Sequence, residues 1–414
     1  MSAPLIEIET IIIGAGAAGL MAASALPGSS LILEKNRKAG LKLLISGSGQ
    51  CNLTHSGTTD ELLAHFGNKS RFLRHSIYSF PNKAVFSFFE SKKVPLLTRE
   101  DGKVFPQSLR ASDILNALLA AVRSAGNRIE FNNTVRNVEK TDTGFLIKTE
   151  SAHYKCGCLI IATGGKSYPE TGSKGDGYIF AESLGHTVIK PEPALTPVKI
   201  KDHRLAALSG ISFNDIRISL WRENKKISSF TGALLITHNG LSGPVILDNS
   251  RYFKNRDILK ISFADLPDDF SIFRESIRKS GNKMIKKLLQ DFDLPGRLIH
   301  HIISLAFKDI DKNCADADID ELKQLFDCLT SYPAEIASKG DFGTAMVTAG
   351  GIDLADINPK TMESKIHKNL FFAGEVLDID GDSGGYNIQA AFSTGFKAAE
   401  TIKKRLALVT PKPV

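Results

Sequence analysis

The chain has 414 residues, of which 42% are hydrophobic and 23% charged, the composition of a globular protein with two or three domains. Its net charge of +7 is mild for this length, so nucleic acid is not expected as a partner. Five cysteines argue against a disulfide framework and favour a reducing cytoplasm, and no apolar stretch of about 18 residues predicts a membrane span.

The first predicted elements are a strand, a glycine turn, a helix and a second strand. The apolar run Ile11–Ile13 leads into Gly14-Ala15-Gly16-Ala17-Ala18-Gly19, and an alanine-rich helix follows to Leu26. A second apolar run, Leu31–Leu33, ends in Glu34. This order and spacing form the dinucleotide-binding fingerprint.

Each part of the fingerprint has a physical role. Gly14 permits the tight turn, Gly16 lets a pyrophosphate approach the backbone, and Gly19 allows close packing of helix on strand. The helix N-terminus offers free N–H groups to phosphate, and Glu34 can accept hydrogen bonds from a ribose diol. A turn that served packing alone would leave Glu34 unexplained.

Two loops follow the second strand. The stretch from Lys35 to Lys42 is basic and is placed to meet phosphate or the adenosine end of a ligand. The stretch Ser46-Gly47-Ser48-Gly49-Gln50-Cys51-Asn52 is small and glycine-rich, which indicates backbone lying against something flat or anionic. A plain solvent loop is the alternative for this second stretch.

The middle of the chain continues the α/β pattern. Residues 57–107 predict helices and short loops, Ser108–Gly126 an amphipathic helix, Arg128–Phe131 a strand, and residues 134–149 a hairpin. The buried strand Leu159–Ile161 ends in the small-residue turn Ala162-Thr163-Gly164-Gly165, and a helix is expected over Tyr178–Leu184.

An insertion interrupts this first domain. Pro191, Pro193 and Pro197 indicate a crossing between domains, after which the pattern is strand-rich to about Ile261 and helical from Ser271 to Leu329. The densest basic run, Arg274 to Lys287, is interpreted as a solvated helix face. The first-domain style returns at Val347, and Leu370–Phe372 leads to Gly374-Glu375 and a last helix from Tyr386.

The layout favours FAD over NAD. An early fingerprint, a late strand ending in Gly374-Glu375 and a helix opened by Gly384-Gly385-Tyr386-Asn387 are typical of an FAD site. Glu375 would meet the ribityl chain, and the helix N-terminus would stabilise negative charge on the flavin. A second G-x-G-x-x-G is missing, so NAD(P)H could act only as a transient donor.

The sequence evidence for a reactive thiol, a metal site or specific catalytic residues is weaker than that for FAD binding. Cys51 is interpreted as a space-filling residue, with flavin contact as the alternative. Metal sites are not expected, because Cys156 and Cys158 lack further zinc ligands and the acids from Asp378 to Asp382 fail the calcium-loop pattern. Catalytic residues stay unassigned; the pocket candidates are Tyr168, His238 and Tyr386.

These motifs together resemble the BaiN/RdsA-type (YhiN-like) NAD(P)/FAD-dependent oxidoreductases. The matching stretches cover nearly the whole chain: residues 14–19, 42–52, 162–169, 237–244, 361–365, 374–378 and 384–387. Gln50 stands where the family usually has arginine, so a charge near the flavin or its phosphates is expected to be missing.

The resemblance implies an α/β fold: a discontinuous Rossmann-like FAD-binding domain with an inserted β-barrel-like domain and a helical subdomain. The corresponding ranges are 1–195 and 346–410 for FAD binding, 196–268 and 331–345 for the β-rich insert, and 269–330 for the helices. The expected FAD-binding residues are Gly14, Gly16, Ala17, Ala18, Gly19, Glu34, Lys35, Lys42, Ser46, Gly47, Gly49, Cys51, Asn52, Val135, Ala162, Thr163, Gly164, Gly374, Glu375, Gly385, Asn387 and Ile388.

The functional hypothesis is a cytoplasmic FAD-dependent oxidoreductase that passes a hydride through flavin N5 to or from a small organic substrate. Family members are linked to reduction of conjugated enones and to oxidation of small amines, so an O₂-dependent amine oxidase is one alternative. A tRNA-modifying flavoprotein and a non-catalytic flavin-binding protein are the others. The substrate, electron donor and oligomeric state stay open.

Overall fold

The computed structural model describes residues 4–28, 30–267 and 269–409. The chain forms two compact units: the first comprises the chain up to Ala194 and again from Phe342, and the second is Leu195–Asp341. The chain returns to the first unit at Phe342, four residues before the expected residue 346. Phe342 is held in the first unit because its carbonyl accepts the N–H of Tyr168 at 2.8 Å.

The regular elements of the described residues are as follows. The strands are β1 (Leu5–Ile13), β2 (Ser30–Leu33), β3 (Thr54–His55), β4 (Leu96–Thr98), β5 (Lys103–Pro106), β6 (Arg128–Glu130), β7 (Val135–Thr141), β8 (Gly144–Thr149), β9 (His153–Ile161), β10 (Val188–Ala194), β11 (Val198–Ile200), β12 (Ser212–Arg222), β13 (Lys225–Thr237), β14 (Gly240–Ser242), β15 (Ile258–Ser262), β16 (Tyr332–Lys339), β17 (Val347–Ile352) and β18 (Leu370–Phe372). The helices are α1 (Ala17–Ala25), α2 (Leu41–Ile45), α3 (Thr59–Ala64), α4 (Ser70–Ser79), α5 (Asn82–Ser91), α6 (Ala111–Ser124), α7 (Asp176–Ser183), α8 (Pro244–Leu247), α9 (Phe270–Lys279), α10 (Ile285–Leu289), α11 (Gly296–Ala306), α12 (Ile319–Thr330) and α13 (Tyr386–Val409).

A seven-stranded sheet organises the first unit. Its order is β6-β2-β1-β9-β8-β7, and β18 pairs with the carboxyl half of β9. The strands β6, β2, β1, β9 and β18 pair in parallel, whereas the hairpin β7–β8 runs antiparallel. The centre of this sheet is fully buried, as expected for parallel strands covered on both faces. This is the Rossmann-type arrangement that the strand and helix pattern predicts.

Small residues let α1 pack closely against its neighbours. A Cβ atom on Gly395 of α13 would lie 2.3 Å from the carbonyl oxygen of Ala18, and one on Gly374 would lie 2.8 Å from the Ala18 Cβ. The alanine-rich composition of α1 therefore reflects a helix that is enclosed between the sheet and α13, with Leu20 and Ala22 fully buried.

Two smaller sheets of the first unit differ from the sequence expectation. Residues 57–107 were expected to contain helices and loops, but the same region includes strands β4 and β5, which join β3 in a three-stranded sheet. Pro191 and Pro193 lie inside β10, which pairs with β17 across a register shift. A two-stranded ribbon has free edges, and proline is tolerated there because its missing N–H can face outward.

The second unit contains a closed barrel with the strand order β11-β14-β13-β12-β15-β16. Ile216, Ile218 and Leu220 alternate inward along β12, and β16 closes the barrel by pairing with both β15 and β11. Helices α9 to α12 pack a second part of the same core, where Phe273 and Phe326 have ring centroids 5.3 Å apart. Among the described residues, the helices are all too short or too polar to cross a membrane.

Candidate functional site

Four parallel strands of the first unit end at one edge of the sheet. Ile13 of β1 pairs in register with Leu33 of β2 and Ile161 of β9, and Ile161 pairs with Phe372 of β18. The residues that follow these strand ends are Gly14, Glu34, Ala162 and, one residue further, Gly374. Loops at the carboxyl ends of such strands form the ligand crevice of open α/β sheets, so the predicted motifs converge at one place.

The glycines of the first turn have distinct roles. A Cβ on Gly14 would lie 2.6 Å from the Ala162 carbonyl oxygen, and one on Gly19 would lie 2.0 Å from the Gly14 carbonyl oxygen. A Cβ on Gly16 would meet nothing within 4 Å. Gly14 and Gly19 are therefore required by packing, whereas the open space beside Gly16 is available to a ligand.

The start of α1 faces this open space with unpaired backbone donors. The first α1 hydrogen bond runs from the Leu20 N–H to the Gly16 carbonyl, and Gly16 provides no side-chain cap. Within the described residues, the N–H groups of Ala17 and Ala18 have no acceptor. Two free donors, the positive end of the helix and a cradle without side chains fit a pyrophosphate, as FAD would require.

Glu34 is anchored by backbone on both sides. Its Oε2 accepts the N–H of Ala15 at 2.8 Å and its Oε1 accepts the N–H of Asn36 at 2.8 Å, and the residue is buried. The carboxylate is thus held next to the glycine turn, with lone pairs left to accept a ribose hydroxyl. Lys35, expected at the phosphates or the adenosine end of a ligand, pairs with Asp176.

Lys42 and Glu375 connect the two ends of the cofactor motif. Lys42 Nζ lies 2.6 Å from Glu375 Oε2, and Glu375 Oε1 accepts the N–H of Thr348 at 2.8 Å. Thr348 Oγ1 in turn accepts the backbone N–H of Lys166 at 2.8 Å. This network joins Glu375, which follows β18, to helix α2 through Lys42 and to the loop after β9 through Thr348.

The loop after α2 has an unusual backbone. Gly47, Ser48, Gly49 and Cys51 all have positive φ, at 55°, 56°, 85° and 60°. The same loop closes against Gly385, where a Cβ would lie 2.9 Å from Asn52 Oδ1. Two glycines and a strained backbone in seven residues allow the loop to approach the start of α13 closely.

Cys51 is fully buried in this loop. Burial raises the pKa of its thiol to about 12, although a hydrogen bond with Ser46 acts in the opposite direction. The thiol is therefore protonated and unreactive at neutral pH. This environment agrees with the space-filling interpretation and gives no support to a redox role.

Gln50 stands where an arginine is usual in the family, and the side chain of Arg99 brings a positive charge to this position. Its Nη2 donates to Gln50 Oε1 at 2.7 Å, and its Cζ lies 4.0 Å from the centroid of the Phe105 ring. Arg99 lies in the turn between β4 and β5, and Phe105 lies in β5. A cationic side chain therefore contacts the glycine-rich loop, but it belongs to Arg99, which lies outside the sequence motifs.

Side chains brace the loop that leads into α13. Asn387 accepts the Gly381 N–H at 2.8 Å through Oδ1, and its Nδ2 donates to the carbonyls of Gly381 and Asp382. Lys69 bridges Asp378 at 2.5 Å and Asp380 at 2.8 Å. Burial acts to lower the pKa of Lys69, but the two carboxylates outweigh it and the pKa is raised.

Tyr386, a pocket candidate, is buried and has two imidazole rings beside it. The His65 ring lies 4.0 Å from it and the His55 ring 5.1 Å, both nearly parallel, and His65 Nδ1 lies 3.0 Å from Asp382 Oδ2. The ring centroids of His55 and His65 are only 6.4 Å apart, so the two imidazoles pack beside Tyr386 and do not lie on opposite faces of its ring. His55 and His65 were not recognised as neighbours from the sequence, because ten positions and helix α3 separate them.

Asn387 and Ile388, at the start of α13, were expected to contact the cofactor. Their backbone N–H groups have no acceptor within the described residues, as at α1. The Asn387 side chain is occupied by the preceding loop, so only its backbone is available to a ligand. The helix start can therefore stabilise an anion in the way that the first turn does.

Tyr168 and His238, the other two pocket candidates, have different environments. Tyr168 is half-buried with φ of 53°, and its carbonyl accepts the Thr171 N–H at 2.8 Å. His238 is exposed in the turn between β13 and β14 of the second unit. A proton-transfer role for either side chain stays a prediction.

The remaining cofactor candidates lie next to the strand ends. Val135 is buried at the start of β7, two residues after Asn133, whose N–H donates to the Glu34 carbonyl. Thr163 comes two residues after the end of β9, and its hydroxyl is enclosed, since a Cβ on Gly177 would lie 2.1 Å from Thr163 Oγ1. Thr163 can therefore contact a cofactor only through its backbone.

Comparison with known proteins identifies this architecture. The family described as "HI0933-like protein Rossmann domain" matches residues 8–401. The chain belongs to this HI0933-like family. Together with the FAD-type layout of the site, membership shows an FAD-dependent oxidoreductase whose substrate is unassigned.

Two relatives share the family over nearly their full length. A Haemophilus influenzae protein named "Ribosomal RNA dihydrouridine synthase" is 32% identical over 407 residues, covering 96% of this chain and 99% of the relative. A Clostridium scindens protein named "3-dehydro-bile acid delta(4,6)-reductase" is 28% identical over 412 residues, covering 95% and 98%.

The fold is also found among solved structures. A 3-ketosteroid-Δ4-(5α)-dehydrogenase from Rhodococcus jostii superimposes with a TM-score of 0.51 at 14% identity, covering 97% of this chain and 99% of that one. At this identity the likeness concerns the fold alone.

Proposed function

We propose that this HI0933-like protein is an FAD-dependent reductase of carbon–carbon double bonds conjugated to a carbonyl, and that its substrate is a uridine base in ribosomal RNA. The observation that carries the FAD part is the pair of helix starts, α1 and α13, whose N–H groups have no acceptor among the described residues. The substrate part rests on the names of the relatives.

The two relatives' names describe one kind of reaction. A dihydrouridine synthase adds hydrogen across the C5–C6 bond of uracil, which is conjugated to the C4 carbonyl. A delta(4,6)-reductase of a 3-dehydro-bile acid adds hydrogen to double bonds conjugated to the C3 carbonyl. In both, a hydride adds to the carbonyl-conjugated carbon at the far end of the double bond, which is β in uracil and across Δ4 and δ across Δ6, and a proton adds to the other carbon of that bond.

The cofactor and donor have defined parts in this proposal. When bound, FAD would supply the hydride from flavin N5, with the two electrons coming from NAD(P)H, which is oxidised to NAD(P)⁺. NAD(P)H would bind transiently, because the sequence has one G-x-G-x-x-G fingerprint and not two.

The chain's own residues bind and orient. Ala17 and Ala18 would donate to the pyrophosphate at α1, and Glu34 would accept the ribose hydroxyls of the adenosine end. Glu375, held by Lys42 and Thr348, would meet the ribityl chain, while the N–H groups of Asn387 and Ile388 would stabilise negative charge on the ring.

A uridine substrate departs from the expectation that nucleic acid is not a partner. That expectation rested on the mild net charge of the whole chain. The relative with 32% identity favours RNA, whereas the one with 28% identity favours a steroid-like enone, which is the second candidate substrate. An O₂-dependent amine oxidase has no comparable support among these relatives.

An anaerobic experiment tests the proposal. Protein loaded with FAD is reduced by NADPH or NADH and mixed with ribosomal RNA transcribed in vitro, or with a 3-oxo-4,6-diene steroid. Reoxidation of the flavin by RNA, with uridine gaining two hydrogen atoms by mass spectrometry, supports the proposal. Reoxidation by the steroid alone would favour the second candidate, and reoxidation by neither would contradict the proposed reaction.

A further inference from the structure

The positive charge of the chain is concentrated in one segment of the second unit. The segment from Phe270 to Gln290, which contains α9 and α10, carries six cationic side chains and one acidic side chain, while the whole chain has a net charge of only +7. The cations are Arg274, Arg278, Lys279, Lys283, Lys286 and Lys287. We refer to these six residues as the basic face.

Both helices bury an apolar side and turn the basic face outward. In α9 the buried residues are Phe273 and Ile277, and in α10 they are Ile285 and Leu289. The basic face is exposed or partly exposed at all six positions. The apolar contacts hold the helices to the core of the second unit, so the cations are fixed on a folded surface.

Most of this charge is not neutralised by the protein. Lys279 pairs with Glu275 at 2.7 Å and Lys283 with Asp291 at 2.6 Å. Within the described residues, no acidic partner contacts the other four cations of the basic face, which are Arg274, Arg278, Lys286 and Lys287. A solvated face that served solubility alone would be expected to intersperse both signs.

The basic face has a defined edge. Arg274 and Arg278 are one helical turn apart on α9, and a tight turn leads to Lys286 and Lys287 on α10. The turn adjoins the loop 309–316, since the Ala315 N–H donates to the Gly281 carbonyl at 3.0 Å. That loop carries Asp309, Asp311 and Asp316, so the positive surface ends there.

We propose that the basic face is an RNA-docking surface, which holds phosphates of the ribosomal RNA substrate through Arg274, Arg278, Lys286 and Lys287. The inference rests on the proposed function for its choice of RNA as the polyanion. Lysine and arginine contacts to phosphate release counterions and make binding depend on salt. This proposal is an alternative to the interpretation of the run from Arg274 to Lys287 as a solvated helix face.

The test uses holoenzyme and a fluorescein-labelled single-stranded 20-nucleotide RNA, with binding measured by anisotropy at several KCl concentrations. The variants are R274Q/R278Q and K286Q/K287Q, and the matched control is K225Q/K226Q at the exposed β12–β13 turn of the same unit. Each test variant should weaken binding about fivefold or more and reduce the log–log salt slope by about 1.4. The control should change affinity less than about twofold.

Flavin content and the rate of flavin reduction by NAD(P)H should stay unchanged in all three variants, which verifies folding and separates docking from chemistry. Wild-type affinity and salt slope in R274Q/R278Q and K286Q/K287Q would overturn the inference, even if uridine is reduced. Loss of RNA binding in these variants while no uridine is reduced by wild type would support docking and contradict the proposed function. Binding of phosphatidylglycerol vesicles but not RNA would also overturn the inference.

Discussion

The starts of α1 and α13 present the same chemistry in two different ways. At α1 the donors stand beside bare backbone, because Gly16 has no side chain and a Cβ there would meet nothing within 4 Å. At α13 the start is braced by side chains from distant parts of the chain, namely His55, His65 and Lys69. The first is encoded within six consecutive residues; the second is assembled by tertiary structure.

The largest effect is expected from Gly19→Ala. The added Cβ would lie 2.0 Å from the Gly14 carbonyl oxygen, which is backbone and cannot move aside cheaply. We expect both the free energy of unfolding and FAD affinity to fall, the former by about 1–3 kcal/mol or more. Chemical denaturation and flavin titration measure the two quantities.

The matched control is Gly16→Ala, since Gly16 has φ of −83° and open space at its Cβ. Stability of the apoprotein should stay within about 0.5 kcal/mol of wild type. FAD affinity should nevertheless fall at least about tenfold, or about 1.4 kcal/mol, because the methyl group occupies the space for the pyrophosphate. Unchanged FAD affinity would show that no phosphate lies beside Gly16.

A smaller effect is expected from Asn387→Ala at the other helix start. The variant loses an acceptor for the Gly381 N–H and the donors to the Gly381 and Asp382 carbonyls. Unfolding free energy should fall by about 1–3 kcal/mol, and FAD affinity should fall with it because the loop is no longer held. Asn249→Ala in the second unit also loses a hydrogen bond to backbone, and it should leave FAD affinity unchanged.

The stacking of His65 on Tyr386 at the start of α13 is expected to contribute less stability than the Asn387 hydrogen bonds. His65→Ala removes the ring that lies 4.0 Å from Tyr386, at an expected cost of about 0.5–1.5 kcal/mol in thermal or chemical unfolding. His65→Phe keeps the stacked ring and loses only the contact with Asp382, so it should retain most of the stability. Equal losses in both variants would instead assign the effect to the Asp382 contact.

The smallest effect at neutral pH concerns Cys51, which lies in the loop against α13. Burial raises the pKa of its thiol from an ordinary 9.0 to about 12, so between these values the folded state holds a proton that the unfolded state loses. The stability from the neutral buried thiol is present below pH 9 and is lost as the pH rises toward 12. Wild type should therefore lose stability relative to Cys51→Ala across this window, and native Cys51 should resist alkylation at pH 8.

How much of the site could be predicted depends on the range of its contacts. The strand, turn and helix from Ile11 to Ala25 follow from consecutive residues, and Gly374-Glu375 follows from a strand end of the same kind. Individual strands of the large sheet and the hairpin β7–β8 were predictable because their hydrophobic patterns are local, whereas the strand order was not predicted. By contrast, β4 and β5 were missed, since short strands leave too few residues to show an alternation.

The sequence by itself determined the nucleotide end of the site, because glycine spacing and a strand-terminal acid act through adjacent backbone. Only the tertiary structure decided the side-chain contacts around the site, where Arg99 reaches Gln50, Lys35 pairs with Asp176, and His65 stacks on Tyr386. The physical reason is that these contacts join residues 49 to 321 positions apart, and no local pattern of spacing or polarity records which distant side chain will meet which.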